Sequence, residues 1–398
     1  MSDGAAAPRS DRLAGVSFAA LFLVTFCGLV AVGSVLPVLP RYVRGPIGAG
    51  DIAVGVVVGC YAITGLLLRP VAGRLADRWG RKPTVLIGSL LIAASGFLLL
   101  PELGLAGLIV ARLVVGVGEG ALYTAGSAWI VDMSPAARRG RILGLYGLAV
   151  WGGLSVGPLI GQLLLDQSGY DAVWIFAGAL PLVGTAIVAL IRDPFKPHPH
   201  AEPHPLIAPE AVRPGLAVGL AAVGYATVAA FIVLMLDARE IGHGAAVFAA
   251  FAAMIVVARL LAGGLPDRLG PARVAIGAAL VEAAGLLAMA LAESLPVALL
   301  GGMAMGAAFS LLNPSLMLIA VGRVPERARG ATMGTYTAFF DAGIGIGAPL
   351  AGLAAALTSY EGAFVLAAAV AVGSAVLTLL TLHRAPAARA ADAIEADL

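Results

Sequence analysis

The chain has 398 residues, 60% of them hydrophobic and only 12% charged, with a formal net charge of +2. Soluble domains carry about 25% charged residues, so the composition excludes an ordinary water-soluble protein and belongs in a bilayer. A charge this close to balance gives no reason to expect nucleic acid as a partner.

Twelve apolar runs follow one another, most of about 18–26 residues and each long enough to cross a ~30 Å hydrocarbon core as a helix. They do not alternate with period two, which argues against a membrane barrel. The first, 14–38, follows a short tail, 1–13, that carries Arg9 and Arg12. It is too long for a leader and lacks an A-x-A site, so it is expected to be a retained span. Cys27 lies in it and Cys60 in the second run, 51–72; both read as small packing residues, with no disulfide or metal. Runs at 83–101, 105–130, 141–165 and 171–191 complete a first half, 14–191. The segment 192–214 is polar and rich in proline, an extended linker. Its His198, His200 and His204 are spaced by prolines and are not expected to close a metal site. Six more runs, 215–236, 243–265, 272–292, 296–320, 331–357 and 361–382, make a second half, 215–382, before a tail at 383–398.

Most of the 25 Lys and Arg fall in the termini and the loops after even-numbered runs. The positive-inside rule then places both termini and those loops in the cytoplasm of a cell whose plasma or inner membrane holds the chain.

The halves repeat each other at a constant offset of 190. RPVAGRLADRWG at 69–80 lies over RLLAGGLPDRLG at 259–270, and PAARRGRILGLYG at 135–147 over PERARGATMGTYT at 325–337. Both halves enter the membrane in the same direction, which is a parallel-repeat plan.

Three motifs resemble those of the major facilitator superfamily, and the resemblance covers nearly the whole chain. GRLADRWGRK, 73–82, fits the family's loop between spans two and three at Gly73, Leu75, Asp77, Arg78, Gly80, Arg81 and Lys82. The family pattern implies a gating latch, with Asp77 facing the N-terminus of span eleven and Arg78 or Arg81 reaching Asp132. GGLSVGPLIGQ, 152–162, is similar to the span-five signature of twelve-span drug:proton antiporters through Gly153, Gly157, Pro158 and Gly161, with Gln162 replacing a final glycine. RLVVGVG, 112–118, matches the span-four signature, whose arginine, here Arg112, the resemblance implicates in proton transfer. The implied fold is all-α, twelve transmembrane helices in two pseudo-symmetric six-helix bundles.

Read without the family, the fourth run makes a stripe. Arg112, Gly116, Glu119 and Tyr123 share one helix face. A charge at a helix centre costs about 2.5–3.5 kcal/mol on insertion scales, so that face should look into the bundle or a wet cavity. Asp341 is a second buried acid, about 15 Å deep in the eleventh run. Desolvation disfavours a charged carboxylate and a nearby arginine favours it, so an acid held between the two can exchange a proton near neutral pH. Glu119 and Asp341 are the expected proton carriers, with Arg112 tuning Glu119. Glu282, in the ninth run, reads as a structural partner. Arg69 and Arg259, at equivalent positions of the repeat, read as snorkelling or bracing the loop. Tyr123, Trp151, Tyr225, Phe309, Asn313 and Tyr336 are candidates to line a substrate cavity.

GVGEGA also spells a dinucleotide fingerprint, but no strand precedes it and no βαβ unit surrounds it. Neither lysine follows a phosphate-cradling glycine loop, and zinc-protease and nucleophile-elbow patterns are absent. No enzyme activity and no cofactor are therefore expected. The expectation is a monomeric, proton-coupled exporter of a small amphipathic or drug-like compound working among membrane lipids. Uptake by symport, or export of one metabolite or lipid, is the alternative.

Overall fold

A chain in hydrocarbon must satisfy its backbone polar groups internally, and every predicted apolar run is helical in the computed structural model. The structure describes residues 7–135, 138–191, 208–322, 324 and 329–383. The three linker histidines, the second tail and Arg323 and Arg327 lie outside them. In chain order the helices are α1 (Ala7–Val35), α2 (Val38–Arg44), α3 (Asp51–Trp79), α4 (Arg81–Phe97), α5 (Gly104–Met133), α6 (Arg139–Ala189), α7 (Pro209–Ala238), α8 (Gly244–Ala262), α9 (Leu265–Leu269), α10 (Pro271–Ala290), α11 (Leu295–Val321), α12 (Arg329–Leu357) and α13 (Tyr360–His383).

Ten stretches among the described residues are long and apolar enough to cross a membrane. The 17 residues of α4 make a short further crossing. The 51 residues of α6 supply two crossings, because the helix breaks at Gly169, whose φ of 79° suits glycine. Twelve crossings result, as the apolar runs predict. The short helices α2 and α9 were not predicted; α2 continues α1 past Pro37, and α9 starts with Pro266 beside its cap.

The helices sort into two bundles. In one, α1 packs on α6, and α5 on α3 and α4; in the other, α7 packs on α12 and α13, α10 on α11 and α13, and α8 on α11. The repeat shows in the packing. Gly153, Gly157 and Gly161 of α6 lie against Leu29, Gly33 and Ser34 of α1, so closely that a Cβ would run into backbone. One offset later, Gly343 and Gly347 of α12 lie against Gly219 and Val223 of α7. The span-five glycines therefore build a helix seam that both halves possess. Gly161→Val should overpack it and destabilise the protein by roughly 1–3 kcal/mol or more. Gly144→Ala, at a site with open space, should be neutral or slightly stabilising. Thermal unfolding of detergent-purified variants, followed by size-exclusion profile, checks both.

The bundles meet where α3 packs on α12 and α6 on α8. One end of the molecule carries the turn glycines Gly80 and Gly270, at φ 111° and 87°; it is called the signature end below. At the far end the bundles are clasped. Arg41 donates to both carboxylate oxygens of Asp237 at 2.6 and 2.8 Å, and Tyr360 donates to Asp51 at 3.2 Å. Gly55 and Gly59 of α3 bring its backbone against Ala348 and Ile344 of α12, and Gly352 of α12 meets Asp51. Arg41 also takes Gln162 as an acceptor. The residue that departs from the span-five signature thus supports the clasp.

A buried ion-pair site between the bundles

The deepest charged contact between the bundles is Arg69 with Asp341. Arg69 donates from Nε at 2.6 Å and from Nη2 at 3.1 Å, a two-pronged pair in which Asp341 is 4% exposed. Asp341 lies twelve residues into α12, about 18 Å along the axis. Gly65 of α3 leaves it room, since a Cβ there would come within 3.8 Å of its Oδ2. Arg69 therefore does not snorkel to the headgroups. Its stem crosses Gly120, where a Cβ would sit 3.6 Å from Cγ, and its guanidinium stands 5.9 Å from the centre of the Tyr123 ring.

Glu119 is midway along the 30 residues of α5, about 22 Å from either end. It is half-buried and makes no hydrogen bond or ion pair among the described residues, yet Arg69, Asp341 and Arg112 are all within electrostatic reach. Arg112 is within electrostatic reach of Glu119 but makes no direct ion pair with it among the described residues. Arg112, 3% exposed, donates at 3.2 Å to the carbonyls of Val57 and of Val58, and lies 4.7 Å from the Tyr61 ring centre. Its charge is spent on the α3 backbone. Gly116 lets α5 approach there, because a Cβ would strike the Tyr61 carbonyl and the Thr64 hydroxyl, which itself bonds Leu113.

Beside the acids stands a wall of rings. Trp151 of α6 meets Phe309 of α11 at 5.7 Å and Tyr225 of α7 at 6.2 Å, both near edge-on, and Phe251 of α8 adds a third contact at 6.3 Å. Phe309 is 6.0 Å from Phe340, one residue before Asp341. Of the aromatic candidates, Tyr123 is 40% exposed and Trp151 half-buried, whereas Phe309 and Tyr225 are buried in the wall. Tyr336 is a correction. It is 1% exposed, and its hydroxyl donates to the carbonyl and side-chain oxygen of Asn313 next to Pro314. Tyr336 is therefore bound to α11, which runs unbroken through Pro314. The sequence reading named Arg69, by its repeat-equivalence to Arg259, but gave it a snorkelling or bracing role, and it did not single out Tyr61, Phe251 or Phe340.

Glu282 also departs from expectation. It is 0% exposed, and neither carboxylate oxygen has a hydrogen-bond partner among the described residues. It points at α7, where Gly224 leaves space for Oε1.

At the signature end Arg81 binds Asp77 and, at 3.0 Å, Asp132, so Arg81 and not Arg78 makes the link to α5. Partial burial works against the Arg81 charge, but hydrogen bonds to Asp132 and Asp77 outweigh it and hold the guanidinium above its ordinary pKa. Arg78 is exposed and has no ion pair among the described residues. Asp77 pairs with Arg81 of its own bundle. Gly73 has only Thr124 near it, at 3.9 Å for a built Cβ, so close packing does not require it, whereas Gly80 is required by its positive φ.

The family model described as Major Facilitator Superfamily matches residues 21–236 and 215–397. The chain belongs to that superfamily. It is 33% identical over 367 residues to an uncharacterized MFS-type transporter of Salmonella typhimurium, covering 89% of this chain and 94% of the relative. The crystal structure of the human organic anion transporter MFSD10 superposes with a TM-score of 0.69 at 16% identity, over 92% of this chain and 99% of that one. The nucleoside transporter NupG gives 0.77 at 13% identity, over 92% and 99%. At such identities the likeness is one of fold. Sequence and structure together make this superfamily member a multi-pass membrane transporter of small molecules.

Proposed function

We propose that this transporter is proton-coupled and exports a small amphipathic compound by alternating access. The observation that carries the reading is the Arg69–Asp341 pair with Glu119 beside it. The pair joins the two bundles at mid-membrane depth, so rocking of one bundle against the other must strain or break it. Glu119 stands next to it with no direct partner among the described residues. A proton delivered to either carboxylate changes the attraction that holds the bundles together. That is what coupling a proton to a conformational change requires.

Direction follows from charge. The positive-inside reading puts the signature end in the cytoplasm, which makes the Arg41–Asp237 clasp an outer gate. The polar links Arg69–Asp341, Arg41–Asp237 and Tyr360–Asp51 join the bundles at mid-depth and at the far end. This arrangement receives substrate from the cytoplasm. One proton moving down 100 mV supplies about 2.3 kcal/mol, enough for nearly fifty-fold accumulation outside.

Everted vesicles from cells making the protein test this. A panel of amphipathic compounds is added to vesicles energised to an acid interior, and the internal pH is followed with a trapped dye. Export by antiport predicts proton efflux from the lumen as substrate enters it. Proton and substrate moving in the same direction would support symport, and no compound moving protons would remove the coupling proposal.

A further inference from the structure

Resting on the proposed export by alternating access, we infer that the space between the bundles holds a binding position for an organic anion, built on Arg259. Three arginines lie within spans: Arg69, Arg112 and Arg259. Arg69 is matched by Asp341 and Arg112 by two carbonyls and a ring. Arg259 is half-buried, and among the described residues it has neither an ion pair nor a hydrogen-bond acceptor.

The repeat explains why it is unmatched. Arg69 and Arg259 occupy the same place in their halves, 190 residues apart. Arg69 reaches into the opposite bundle and finds Asp341 on α12. The equivalent of Asp341 in the first half is residue 151, and residue 151 is Trp. Arg259 makes the mirror-image reach, into the first bundle, where a Cβ on Gly147 would sit 3.2 Å from its Nη1. Gly147 is eight residues into α6, about 12 Å along its axis, so Arg259, from the last turn of α8, reaches inward along the first bundle. The half that has an acid in one repeat has an aromatic ring in the other, and the arginine was kept.

A half-buried arginine with no ion pair among the described residues can take a counter-charge. The geometry says what brings it. Gly147 and Trp151 are four residues apart on α6 and face the same way. An anion on Arg259 therefore has the Trp151 wall, with Phe309 and Phe251, one helical turn away. Tyr123, 40% exposed and within electrostatic reach of Arg259, offers a hydroxyl donor to the same group. The fitting ligand is a carboxylate or sulfonate with an aromatic or branched apolar body.

The test is equilibrium dialysis of three matched radiolabelled probes, 2-naphthoate, 2-naphthylmethylammonium and 2-naphthylmethanol, against the purified full-length transporter. Wild type should hold naphthoate best. Arg259→Gln should weaken naphthoate on the order of tenfold to a hundredfold, the range for a lost charge-assisted hydrogen bond, and leave the alcohol unchanged. Arg259→Lys should recover part of the loss, which separates charge from folding. If the ammonium binds best and Arg259→Gln changes nothing, the anion site is wrong while the cavity stands. If none of the three binds wild type, the cavity reading falls and takes the anion site with it.

Discussion

Asp341→Asn and Arg69→Gln will each abolish transport and each lower the stability of the folded protein, by about 3–5 kcal/mol. The cause is the group left behind. Asp341 is 4% exposed and Arg69 bonds it through two nitrogens; removing either side chain strands the other's charge away from water. The double variant Arg69→Gln with Asp341→Asn has no stranded charge, and two amides at that spacing can still bond. It should be more stable than the summed single losses predict, by about 1–3 kcal/mol, while transport stays absent. Thermal unfolding of the four proteins, with vesicle uptake of a substrate found in the panel, reads both quantities. A double variant that transports like wild type would make the pair a dispensable brace. Strict additivity would mean the two groups do not interact in the ensemble that unfolds.

The reason to expect recovery of stability without recovery of transport lies in what alternating access needs. An amide pair holds the bundles about as well whatever the pH. A carboxylate–guanidinium pair holds them only while the acid is charged. Loss of that difference removes the signal without removing the contact.

How far the sequence could go is set by range. Helix existence, number and order follow from runs of local hydropathy, and every predicted span is present. Gly80 and Gly270 stand at equivalent ends of the repeated loop motif, and both hold a positive φ. The break of α6 at Gly169 was legible as well, since the polar stretch LDQSGYD separates two apolar runs and the backbone leaves the helix there. Sites were harder because they are long-range. Arg112 and Glu119 are neighbours on a helical stripe, but Arg112 turns to α3 and the acid on α5 keeps company with Arg69 of α3 and Asp341 of α12. No local pattern encodes a contact between residues 69 and 341. The repeat came closest, because it marks Arg69 and Arg259 as a pair whose surroundings can be compared.

Glu119→Gln will separate exchange from uphill transport. The substitution keeps the shape and the acceptor oxygen of the side chain and removes its ability to gain or lose a proton. Glu119 has no ion pair to strand among the described residues, so the variant should fold with stability close to wild type, in contrast to Asp341→Asn. Substrate-for-substrate exchange across vesicles without a gradient should persist within about threefold of wild type. Accumulation driven by a proton gradient should fall from nearly fifty-fold, the ceiling set by one proton at 100 mV, to no enrichment. The comparison works because exchange needs the bundles to rock only while loaded, whereas accumulation needs the empty carrier to return with its proton. If Glu119→Gln still concentrates substrate as wild type does, the proton travels through Asp341 alone and Glu119 serves binding. If exchange is lost as well, Glu119 is part of the substrate contact, and the naphthoate, ammonium and alcohol probes then show which charge it was facing.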